Sequence, residues 1–124
     1  MRKSKATPYG RAITTAEFKR ALSLIPPPTA GQKKFLQAHY DAPGRAATMS
    51  NLAEAAGYRS YGAVNLQYGR LAERIASALN RPLPFPNVFL LAEDVDPKTI
   101  SGKQWVLIMR PAFAAALCAA GWVE

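Results

Sequence analysis

The chain has one cysteine and one histidine in 124 residues, and half as many acidic residues (8) as basic ones (16). A lone cysteine, Cys118, closes no disulfide within the chain, which fits a reducing compartment. Cys118 lies in an alanine-rich apolar run and reads as a small buried hydrophobe. One His and one Cys do not make up the ligand set of the usual zinc sites. The acidic trio Glu93, Asp94 and Asp96 offers oxygen ligands to a hard cation, but no EF-hand spacing follows it, and a polar loop explains it equally well. There is no Walker-type glycine loop, no GxSxG and no dinucleotide fingerprint. The single histidine, His39, falls in an apolar helical pattern with Phe35, Leu36 and Tyr40 and reads as a packed structural residue. The basic start, Met1-Arg2-Lys3-Ser4-Lys5, leads into no apolar run of the secretory kind. The most apolar stretch, residues 106–123, is broken by Arg110-Pro111 and is no clean membrane span. These absences set the first expectations: a cytoplasmic, non-enzymatic protein with no metal and no cofactor.

What is present is apolar mass and positive charge. Hydrophobic residues make up 49% of the chain, enough to build an ordinary core. The net charge of +8 is unevenly spread: residues 1–92 hold thirteen Lys/Arg against four Asp/Glu, whereas residues 93–124 hold three against four. A basic first three quarters joined to a near-neutral end suits a polyanion-binding face. Residues 1–13, with Lys3 and Lys5, read as a flexible basic arm ahead of one domain over 14–124.

Capping signals place the helices. Thr14 with Glu17 forms a capping box, and Phe18, Ala21, Leu22 and Ile25 follow on one helical face until Pro26-Pro27-Pro28 ends it. Thr29 with Gln32 opens a second helix, which Ala42-Pro43-Gly44 closes. Ala46-Ala47-Thr48 can pair as a brief strand, and Thr48 or Ser50 can cap a short helix carrying Leu52, Ala53 and Ala56. Gly57 suits the left-handed residue at its end. Ser60 then caps a long helix over 60–79 with a buried stripe of Val64, Tyr68, Leu71, Ile75 and Leu79. A short helix, a glycine turn and a longer helix form a helix-turn-helix pattern.

Beyond the prolines of 80–86, Val88-Phe89-Leu90-Leu91 and Trp105-Val106-Leu107-Ile108-Met109 read as two strands of a hairpin, with residues 88–93 pairing 104–109. Pro111 starts a last helix and Gly121 ends it. The expected fold class is mainly α with a small β-hairpin: a winged helix-turn-helix with an added helix at each end. In that arrangement the second helix of the motif enters the major groove of DNA with its first residues at base edges. Arg59 can pair with guanine and Asn65 with adenine, while Ser60 and Tyr61 can bond phosphates. Arg70 flanks the exposed face, with Gly62, Leu66 and Gly69 opposite the buried stripe. Lys98 and Lys103 fall near the hairpin tip, within reach of a phosphate. The expected partner is duplex DNA. The competing expectation is a protein-interaction module or homodimer that uses the exposed Leu66 on the same scaffold.

The segments Leu52-Ala53-Glu54-Ala55-Ala56-Gly57-Tyr58 and Val64-Asn65-Leu66-Gln67-Tyr68-Gly69-Arg70-Leu71 resemble a motif of bacterial winged helix-turn-helix modules. Those modules are associated with HNH-type restriction nucleases and with stand-alone uncharacterised proteins. Ala38-His39-Tyr40-Asp41-Ala42-Pro43, Met109-Arg110-Pro111 and Gly121-Trp122 fit the same pattern, so the resemblance spans residues 14–123. It implies a bacterial DNA-recognition module of restriction or defence, without the His-Asn-His metal site of the nuclease.

Overall fold

A computed structural model describes residues 12–95 and 105–124. In chain order these form α1 (Thr15–Leu24), α2 (Ala30–Asp41), a 3-10 turn (Pro43–Arg45), β1 (Ala46–Ala47), α3 (Met49–Ala56), α4 (Tyr61–Leu79), a second 3-10 turn (Asn87–Leu90), β2 (Ala92–Val95), β3 (Val106–Met109) and α5 (Pro111–Ala119). The described residues are mainly helical, with one small antiparallel sheet.

The helix starts follow from side-chain caps. Thr14 and Glu17 satisfy each other's backbone amides at the head of α1, as do Thr29 and Gln32 at α2 and Thr48 and Asn51 at α3. Each box removes two orphan donors from a helix end. Pro111 occupies the first turn of α5, where its missing N–H costs nothing.

The sheet runs β1-β3-β2, all antiparallel. Ala46 stands opposite Ile108 and Ala47 opposite Leu107, while Glu93 and Asp94 face the same two β3 residues from the other side. The two residues of β1 thereby tie the entry to α3 onto the strand that leads into α5.

The hairpin differs from expectation. Val88-Phe89-Leu90 forms a 3-10 turn rather than a strand, and pairing with β3 starts only at Ala92. An apolar run does not separate a strand from a buried helical turn, and packing decides here. Val88, Leu90, Leu91 and Ala92 are all buried, a sequence of burial that no half-exposed strand can produce. Arg110 holds the turn in place, donating from Nε and Nη2 to the Phe89 carbonyl at 3.2 and 2.7 Å. Its Nη1 is 2.9 Å from Glu93.

The core lies between the helices and one face of the sheet. Phe18 of α1 and Phe113 of α5 meet at 5.2 Å between ring centres, and both are fully buried. Phe35 of α2 lies 4.9 Å from Tyr68 of α4. Burying each such side chain contributes about 1.5–3 kcal/mol. Cys118 is exposed, against the expectation of burial. On α5 the neighbouring Phe113, Ala114, Ala116 and Leu117 face the core, and Ala115, Cys118 and Ala119 turn outward. A helix apolar on every side gives no signal for which side is covered.

Candidate nucleic-acid interface

The site is built on α3, a short turn and α4. Gly57 closes α3 at φ 78°, a left-handed conformation that a Cβ disfavours. Its N–H reaches Glu54 O at 3.3 Å and the Tyr58 N–H reaches Ala53 O at 2.9 Å, the paired bonds that satisfy a helix end. Tyr58 then folds inward, edge-on to Phe35 at 6.2 Å and over Gly31, where it fills the place a Cβ would occupy. The turn is therefore seated on the start of α2. Buried Gln32 adds a further tie, its Nε2 lying 3.5 Å from Gln67 Oε1 of α4.

This seating aims α4. Ser60 is its cap, accepting from the Ala63 N–H at 3.4 Å, so the hydroxyl proton stays available to a ligand. Val64, Tyr68, Leu71, Ala72 and Ile75 bury one side of the helix. The outward side has a definite relief. At 3.6 residues per turn, Tyr61 and Asn65 form one row and Leu66 and Arg70 another. Gly62 and Gly69 fall between the rows as a floor without side chains. Asn87 closes the far end, lying 3.7 Å from where a Gly69 Cβ would stand and donating to Glu73 at 3.2 Å. The near end, at Arg59 and Ser60, is open.

Tyr61 and Leu66 are 57% and 52% exposed, which is unusual for large apolar side chains in a helix that buries its other face. Arg59, Asn65 and Arg70 are exposed too, and none has a side-chain partner among the described residues. Arg81 lies 3.8 Å from Glu17 and Arg110 pairs with Glu93, whereas Lys19, Arg20, Lys33, Lys34 and Arg74 are exposed elsewhere on the helices. The open end of α4 thus presents free positive charge and hydrogen-bonding groups without a nearby carboxylate of its own first turn.

The structure brings Arg59, Ser60, Tyr61 and Asn65 together at the head of α4. Arg70 stands apart, roughly 14 Å along the axis from Tyr61 and on the other row. Lys3, Lys5, Lys98 and Lys103 lie outside the described residues, as does Asp96 of the acidic trio. No family model, curated protein or solved structure matches this chain. Its reading therefore rests on its own geometry. Two cations escaped the sequence reasoning: Lys33 and Lys34 are exposed on α2, directly after the Gly31-Gln32 pair that meets the turn and α4. The doubled lysine after a capping box was the available signal.

The histidine is no surface group. His39 and Tyr68 are fully buried, and the imidazole bridges Tyr68 and the backbone of β3. Burial lowers the His39 pKa below its ordinary value, so the ring is neutral. Among the described residues no helix is long and apolar enough to cross a membrane, and no group of three His, Cys, Asp or Glu gathers to hold a metal.

Proposed function

We propose that this chain is a winged-helix module that binds nucleic acid, with duplex DNA as its target and α4 as the recognition helix. The observation that carries the reading is the open head of α4, where Arg59, Tyr61 and Asn65 are exposed without partners in a protein of net charge +8. The sheet order supports it. A strand before the two-helix motif pairs with the second strand of a hairpin after it, the strand order a winged helix would have. In this pose Arg59 and Asn65 reach base edges, Ser60 and Tyr61 bond phosphates, and the glycine floor admits the sugar-phosphate backbone. Arg70, Lys33 and Lys34 serve as sequence-independent phosphate contacts, with the arm and the wing-tip lysines as further candidates.

The test is selection of a preferred duplex followed by substitution. Arg59→Ala or Asn65→Ala should cost about 1–3 kcal/mol on that sequence if each reads a base, and little on random duplex. Equal behaviour of both variants and wild type on both duplexes would remove the base-reading role.

Exposed Leu66 favours a second reading: the same face docks a protein. That reading expects affinity with only modest salt dependence and a loss on Leu66→Asp that Arg59→Ala does not reproduce.

A further inference from the structure

His39 joins three elements through two bonds, and the backbone of Arg45 in the first 3-10 turn also lies close to its ring. From α2 its Nε2 lies 2.8 Å from the Leu107 carbonyl of β3, and its Nδ1 lies 2.9 Å from the Tyr68 hydroxyl of α4. A carbonyl only accepts, so Nε2 carries the proton and donates it. The neutral ring then has a bare lone pair on Nδ1, which accepts the Tyr68 O–H. Each group satisfies the other, and the tautomer follows from the geometry. The Tyr68 ring also stands edge-on to the imidazole, with 5.8 Å between centres and 86° between planes. Among the described residues no hydrogen bond joins α4 to β3 directly, so this relay is the polar link between them.

An apolar pair would fill the same space but would supply no directional bond between α2, α4 and β3. Directional bonds between fully buried groups fix a single arrangement, because leaving either group unpaired there is costly. We propose that His39 is a positioning residue: through Tyr68 and Leu107 it sets the hairpin strand against α4, so that helix and hairpin address one duplex together. The consequence for binding rests on the nucleic-acid reading above, whereas the placement of β3 does not.

The test is a double-mutant cycle of Tyr68→Phe and His39→Leu, with Phe113→Leu in the α1–α5 packing as a control. Duplex affinity is measured at a temperature where every variant is folded, with amide exchange of Val106–Met109 read alongside. Each single variant should bind about five- to tenfold more weakly, and the double no more weakly than the worse single. Exchange in β3 should speed up about tenfold relative to α1, while Phe113→Leu binds as wild type does. Additive losses, or β3 exchange that merely follows α1, would overturn the proposal. So would a nitrogen NMR signature showing His39 protonated on Nδ1. If wild type binds no duplex, the nucleic-acid reading fails by itself, and β3 exchange still decides the placement role.

Discussion

Replacing Gly69 by alanine separates what the fold needs from what a partner needs. Gly69 lies in the interior of the α4 helix, where glycine is about 0.8–1.0 kcal/mol less favourable than alanine. An added Cβ would meet only the Asn87 Cβ and Nδ2, both at 3.7 Å, which is ordinary contact. No clash offsets the propensity gain, so Gly69→Ala should stabilise the protein by about 1 kcal/mol. In a chain of this length that raises Tm by roughly 3–5 °C. Circular dichroism melts and urea titrations read the gain as a higher midpoint at unchanged slope. Gly31→Ala is the contrast, since its Cβ would run into the Tyr58 ring and force it off Phe35. That variant should lose stability. If Gly69 is part of a floor that a phosphate backbone approaches, the methyl also weakens duplex binding while the fold gains. A lower Tm for Gly69→Ala would refute the packing argument, and a higher Tm with unchanged affinity would refute the use of the floor.

Gly57→Ala places a Cβ on a left-handed residue with open space around it. The cost is then conformational alone, about 1–2 kcal/mol, with Gly57→Asn losing less; urea midpoints should rank Gly, Asn, Ala. Acidification acts through His39, whose burial keeps its folded pKa below the 6.5 of the free side chain. The unfolded chain takes up the proton first, so the stability held above pH 6.5 is lost as pH falls below it, by at most about 1.4 kcal/mol per pH unit. Urea titrations between pH 7.5 and 5.5 should show that slope in wild type and not in His39→Leu.

The helices were legible because their ends are written in single residues. Thr14, Thr29, Thr48, Ser60, Gly57 and Pro111 each act locally, within one turn, and the structure places every one at the helix end its chemistry suggests. β1 was readable as a possibility, because two alanines carry little preference and only Ile108 and Leu107 make them a strand. The start of the hairpin was not readable. Val88-Phe89-Leu90-Leu91 suits a strand by composition, and its 3-10 turn depends on packing against α4 and on the distant Arg110. Cys118 failed for a related reason: an all-apolar helix has no periodic signal to say which side stays open. At the site, the exposed face of α4 followed from its buried stripe. The exposure of Tyr61 did not follow as directly, because helical spacing sets it near the edge of that stripe. The seating of the turn by Tyr58 on Gly31, and the His39 relay, bring together residues distant in sequence and left no local trace.

The most direct test of the account is the salt dependence of duplex binding. If the head of α4, Lys33, Lys34, Arg70 and the basic arm engage about five to eight phosphates, log affinity should fall against log salt with a slope of roughly −4 to −7. Lys3→Ala or Lys5→Ala should flatten that slope by about one and weaken all sequences alike, whereas Arg59→Ala should weaken the preferred sequence most. Undetectable duplex binding at physiological salt, or affinity indifferent to salt, would contradict the nucleic-acid reading and leave α4 as a protein-docking face.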